Sequence, residues 1–202
     1  MKEGLRFVDS DTHVQEPGDI FEKYLDPAFK SRVTSAVGAD GKHSRRSWII
    51  DGLPPSMDVE LQQHRKKPAS SRATGPIIGN ATGQLSASRS AATGRLRFAI
   101  ERDYDAEAQI MGMQMEGIDI AVLFPTGGLS LLSRDGMDPQ LSLALSQAYN
   151  NWIHEFCQYS PNQMKFAAML PLHDVNLACQ ELVRCVRELG AVASFIRPNL
   201  VN

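Results

Sequence analysis

The sequence predicts an α/β fold in which parallel strands alternate with covering helices, and three observations carry that prediction. Short apolar runs recur at residues 116–128, 165–174 and 190–199, each bounded by glycine or proline, and runs that are apolar throughout mark strands buried on both faces. The segments between them place apolar residues three and four apart, the spacing of a helix with one buried stripe. Helix-start residues stand before those segments, so strand, helix, strand, helix, strand reads as a βαβ series with right-handed crossovers.

Taken in order, the first strand is "LRFVDSDTH", residues 5–13. It ends with Asp9, Asp11 and His13 at alternate positions, which on a strand point to one side. Two carboxylates and an imidazole gathered together are costly unless a cation sits among them. Carboxylate oxygen and imidazole nitrogen both ligate Zn²⁺, Mn²⁺ or Fe²⁺. An ordinary reading stands beside this one: Asp11 caps a turn, His13 lies on the surface and the spacing is chance.

A long insertion follows, residues 36–100. Its first part, "SRRSWIIDGLPPS", reads as a short hairpin or loop, with Trp48 and Ile50 placed to cover the mouth of a site. Residues 61–100 hold no Asp or Glu but seven Lys or Arg. A solvated loop is expected there, and as a lid it would offer arginines to an anionic substrate.

"RDYDAEAQIMGMQMEG" then reads as a helix whose methionines pack against the sheet, feeding the strand at Ile118. The next helix opens with Asp138 as N-cap and Pro139 at its first position; Leu141, Leu145, Ala148, Trp152 and Phe156 form its stripe. The last opens at Asp174, carries Leu182, Val186 and Leu189, and ends at Gly190. With the first strand, this makes four β/α units.

Composition narrows the function classes. At 202 residues, 43% hydrophobic and 22% charged, the chain is of ordinary globular type and can bury one core. A net charge of -2 gives no general attraction to nucleic acid or to an anionic membrane. No run has the length of a membrane span and the N-terminus has no signal-peptide core. Three cysteines, Cys157, Cys179 and Cys185, form no C-x-x-C pair and read as small apolar helix residues in a reducing, cytoplasmic setting. "PTGGLS", residues 125–130, is glycine-rich but lacks the P-loop lysine and the dinucleotide fingerprint, so a doubly wound nucleotide-binding domain is a distant reading.

Among further candidates, His173 lies near the end of the third strand, where it would meet substrate or serve as a loop residue beside a cap. Arg197 and Asn199 end the fourth, where a guanidinium would clamp a carboxylate or pair structurally. His154 reads as a helix-surface residue. His43 and His64 have no spacing partner that makes a metal site.

"VDSDTHVQEP", "RDYDAEAQIMGMQMEGIDIAVLFPTGG", "AYNNWIHEFCQYSPNQMKFAAMLPLHD" and "ELGAVASFIRPN", in that order, resemble the amidohydrolase-related family. This is the branch of the metal-dependent amidohydrolase superfamily that includes aminocarboxymuconate-semialdehyde decarboxylase and the aromatic-acid decarboxylases. The resemblance implies a (β/α)8 TIM-type barrel with its site at the carboxyl ends of the strands. It makes Asp11-x-His13 the acidic variant of the family's strand-one ligand pair, holding a divalent ion, zinc or manganese. The family's other ligands follow strands five, six and eight, whereas this chain ends after strand four, and a full barrel needs about 250 residues. The expectation is therefore residues 1–202 as the N-terminal part of one barrel domain, incomplete alone. It would belong to a hydrolase or non-oxidative decarboxylase of a small carboxylate or aromatic acid, with no nucleic-acid or membrane partner. A half-barrel exposes two strand edges, so self-pairing or a complementing C-terminal half is expected too, and a non-catalytic half-barrel that acts by pairing is the alternative.

Overall fold

The computed structural model describes residues 4–37, 43–53, 94 and 97–196, with the backbone alone for 36–37 and 43–47. Four parallel strands form the main sheet: β1 (Val8–His13), β4 (Ile120–Phe124), β5 (Met164–Met169) and β6 (Ala193–Phe195). Their order across the sheet, β1-β4-β5-β6, is also their order along the chain. A doubly wound sheet reverses direction at a switch point, whereas a barrel wall adds each new strand on the same side. The sheet is thus the first half of a (β/α)8 barrel, and the nucleotide-domain reading falls. A separate antiparallel pair, β2 (Val33–Val37) and β3 (His43–Ile50), lies between β1 and the next barrel strand.

The helices begin where their capping residues say. Helix α3 (Ala106–Glu116) starts at Asp105, whose carboxylate accepts from Ala108 N–H, and stops at Gly117, with φ of 75°. Before it lies the short α2 (Arg97–Glu101). Helix α4 (Pro139–Cys157) starts at Asp138, which accepts from Gln140 N–H. Its stripe of Leu141, Leu145, Ala148 and Trp152 is buried, with Phe156 packed at the margin. Each large apolar side chain so enclosed contributes about 2 kcal/mol. Helix α5 (Val175–Arg184) starts at Asp174, which accepts from Leu177 N–H at 2.9 Å.

Three expectations need correction. Trp48 and Ile50 do not cover a site mouth: they are 2% and 1% exposed, and Trp48 packs edge-on against Phe21 of α1 (Ile20–Tyr24) while donating to the Gly18 carbonyl. Alternation on β3 puts both on the inner side of the hairpin. Val186 does not share the buried stripe, because α5 runs into a π turn, Cys185–Leu189. The wider turn changes the helical phase: Cys185 is buried and Val186 is 51% exposed. Cys179 is exposed, so only Cys157 and Cys185 act as core residues; burial pushes the Cys157 thiol up to about 12, which leaves it unreactive.

Arg32 fastens the hairpin to the barrel. Its guanidinium is bidentate to Asp51, at 2.8 and 2.9 Å, and donates to Asp138 at 2.6 Å, tying the turn after β3 to the start of α4. Inside, Asn150 of α4 bonds both the N–H and the carbonyl of Met169, at 2.8 and 2.9 Å, and so fixes the end of β5. Its amide also donates to buried Glu181, which Arg184 neutralises at 2.7 Å. Burial alone would raise the Glu181 carboxyl, but Arg184 and Asn150 outweigh it and hold it below its usual range. No helix among the described residues is long and apolar enough to cross a membrane.

Candidate metal centre

Because β1 and β4 are parallel neighbours, with His13 opposite Phe124, their carboxyl ends open at the same end of the sheet. Register shifts along β1: Asp9 faces Ala121 and Thr12 faces Leu123, so Ser10 and Asp11 together oppose Val122 alone. This is a β-bulge, which re-aims the side chains around it. Asp9 supports the bulge, its carboxylate accepting from the Asp11 N–H at 2.9 Å. It is not a third member of the pair, as alternation alone suggests.

Asp11 and His13 do lie side by side, with His13 Nε2 3.7 Å from Asp11 Oδ1. Both are exposed to solvent, the Asp11 side chain by 81%. His13 Nδ1 lies 2.6 Å from the Pro125 carbonyl. A carbonyl only accepts, so Nδ1 carries a hydrogen and Nε2 is the ring nitrogen turned toward Asp11. An imidazole whose second nitrogen is fixed in this way is the usual state of a metal-ligating histidine. One carboxylate oxygen and one free imidazole nitrogen suit a divalent ion such as Zn²⁺ or Mn²⁺. Among the described residues no group of three metal-ligating side chains gathers, so this pair would be a partial site.

Beside His13 opens a cavity of about 220 Å³, walled by Phe98, Ala99 and Ala108 and edged by Gln15, Tyr104 and Gln109. Asp103 and Tyr104, with φ of 55° and 58°, lie in succession in the left-handed region. That conformation costs an L-residue energy and is common near functional sites; here it forms the turn from which Tyr104 reaches the cavity.

The other candidates are placed differently. His173 donates from Nε2 to the Arg134 carbonyl at 2.6 Å and lies 2.9 Å from Ser142 Oγ through Nδ1. It sits four residues beyond the end of β5 with both ring nitrogens engaged, beside the Asp174 cap. His154 is not a free surface residue, since it is half-buried and its Nδ1 donates to the Leu189 carbonyl at 2.7 Å. Arg197, Asn199, His64 and the side chain of His43 lie outside the described residues. So does the basic stretch 61–100, apart from 94 and 97–100.

The residue that sequence reasoning missed is Glu16, which is 1% exposed. Its carboxylate accepts from the backbone N–H groups of Thr126, Gly127 and Gly128 at 3.0, 2.9 and 2.8 Å. The "PTGG" loop is therefore an anion-binding nest, occupied by the chain's own side chain. Burial pushes the Glu16 carboxyl above its usual range, and the three amides work against that rise.

The fold is that of the first half of a (β/α)8 barrel, with this pair at its open end. Solved structures share that fold. An amidohydrolase from Mycobacterium avium subsp. paratuberculosis K-10 superposes with a TM-score of 0.62 at 20% identity, over 98% of this chain and 50% of that one. The 5-carboxyvanillate decarboxylase of Novosphingobium aromaticivorans DSM 12444, complexed with manganese and 4-hydroxy-3-methoxy-5-nitrobenzoic acid, superposes at 0.51 with 18% identity. That match covers 96% of this chain and 42% of that one. This chain thus spans about half the length of either protein. No family model and no curated protein matches the sequence.

Proposed function

We propose that this chain supplies the first part of a metal-dependent active site of the amidohydrolase-related type, with Asp11 and His13 as two ligands of a divalent ion. The observation that carries the reading is the pair itself: His13 Nε2 is held open by the bond from Nδ1 to Pro125 and faces Asp11 at 3.7 Å, at the carboxyl end of the first barrel strand. The shared fold supports it. An ion at this place would act as a Lewis acid on a carboxylate or carbonyl oxygen of the substrate. Asp11 would supply charge, and His13 a fixed nitrogen that cannot turn away.

The substrate would be a small carboxylate, an aromatic acid being the favoured shape. The cavity beside His13 has an apolar wall at Phe98 and polar groups at Gln15, Tyr104 and Gln109, as a planar ring with one polar edge requires. The reaction is either hydrolysis or loss of carbon dioxide. In both, a complete barrel of this type takes its remaining ligands from strands beyond the fourth.

A second reading has its own support. β1 and β6 end the sheet among the described residues, and Leu5, Phe7 and Val8 beside the outer edge are 63%, 44% and 59% exposed. A half-barrel that acts only by pairing would show that surface too.

Elemental analysis of the purified chain separates the two readings. The metal-site reading expects Mn or Zn approaching one ion per chain, lost when Asp11→Asn and His13→Ala are combined. Equal metal in both proteins, or none in either, leaves only the pairing role.

A further inference from the structure

One peptide unit joins His13 and Glu16. The carbonyl of Pro125 accepts from His13 Nδ1 at 2.6 Å, and the N–H at the other end of the same peptide, on Thr126, donates to Glu16 Oε1 at 3.0 Å. The next two amides, Gly127 and Gly128, hold the same carboxylate, and Val14 N–H bonds the Phe124 carbonyl at 3.0 Å. Residues 13–16 are thereby laced to five consecutive positions, 124–128.

We propose that Glu16 is the positioning residue for His13: its buried carboxylate grips the Pro125–Thr126 peptide from the amide end, so that the carbonyl end holds His13 Nδ1–H and presents Nε2 toward Asp11.

Two physical effects follow. The first is geometric. A loop with two glycines would otherwise be free to rotate the Pro125 carbonyl, and three charge-assisted hydrogen bonds to one buried carboxylate remove that freedom. The second is electronic. An anion accepting from the N–H of a peptide polarises that unit and makes its carbonyl a stronger acceptor, which favours the Nδ1–H tautomer. Many metal-ligating histidines bond a carboxylate directly; here the carboxylate acts through one peptide. Gly128 belongs to the device, because a Cβ there would meet Glu16 Oε1 at 3.1 Å and Pro125 Cβ at 2.9 Å.

The inference rests on the reading of His13 as a metal ligand, but the relay itself can be read without metal. The test uses the full chain with ¹⁵N-labelled histidine, as wild type and as Glu16→Gln. The nitrogen spectrum reports the His13 tautomer, and a Mn²⁺ titration reports affinity. In the wild type, Nδ1 should carry the hydrogen. In E16Q the second tautomer should appear, with Mn²⁺ affinity falling about tenfold, the lower end of the range for loss of such a support. A hydrogen on Nε2 in the wild type overturns the relay. So does E16Q with a lower melting temperature but an unchanged tautomer, which would make Glu16 structural only. If E16Q does not fold, Glu16→Asp keeps the charge, retracts it by one methylene and carries the same comparison. A wild type that binds no Mn²⁺ would count against the proposed function, while the tautomer comparison would still decide the relay.

Discussion

Gly128 has no room for a side chain. A methyl group there would stand 2.7 Å from Met169 Cε, 2.9 Å from Pro125 Cβ and 3.1 Å from Glu16 Oε1. Gly128→Ala should lower stability by about 1–3 kcal/mol, the usual cost of overpacking, read as a drop in the urea midpoint with an unchanged slope; a midpoint equal to that of the wild type would mean that the loop yields freely. At this scale the sequence told part of the story. That Asp11 and His13 stand side by side was legible because alternation on a strand is strictly local. The bulge that brings Asp9 into a different role was not, since register depends on the partner strand. Nor was Glu16: its three donors lie 110 residues and more along the chain, and no local pattern marks a carboxylate destined for burial. The glycine pair of "PTGG" was the available signal, and it pointed to an anion without saying which.

Elements were easier to read than their joints. Asp138 and Asp174 were legible as caps because each sits directly before an apolar stripe of helical spacing; Asp105 caps its helix just as they do, but no such stripe follows it to mark the start. The phase change at Cys185 escaped notice, since a π turn has no short sequence signature. Asn150 is marked by no local pattern, yet it is fully buried and holds both polar groups of Met169 together with Glu181. Asn150→Ala should cost about 2–4 kcal/mol, because it strands buried partners, and hydrogen exchange should then quicken at Met169; protection as strong as in the wild type would contradict that role. Arg32 provides an acid-sensitive joint. It holds Asp51 and Asp138 below their ordinary value of 3.8. The stability they add is present above pH 4 and lost as pH falls through their lowered values. Arg32→Ala should therefore flatten the decline in urea midpoint between pH 5 and pH 2.5, and a decline as steep as the parent's would remove Arg32 from the account.

At the scale of the whole molecule, chain order and sheet order coincide, and this distinguishes a barrel wall from a doubly wound sheet. That four parallel strands stand in one sheet among the described residues was legible from the count of β/α units, whereas the core role of Trp48 and Ile50 was hidden because a hairpin's inner side is set by what it packs on. The outer edge beside Leu5, Phe7 and Val8 invites association. Val8→Lys should shift the purified chain toward monomer in light scattering, and unchanged mass would mean that contact runs elsewhere. The central claim, that Asp11 and His13 hold a divalent ion, is tested most directly by pulsed electron spin resonance of Mn²⁺ bound to the chain with ¹⁵N-labelled histidine. The account predicts coupling to one histidine nitrogen, absent in His13→Ala. Bound Mn²⁺ without that coupling, or coupling that survives the substitution, would contradict it.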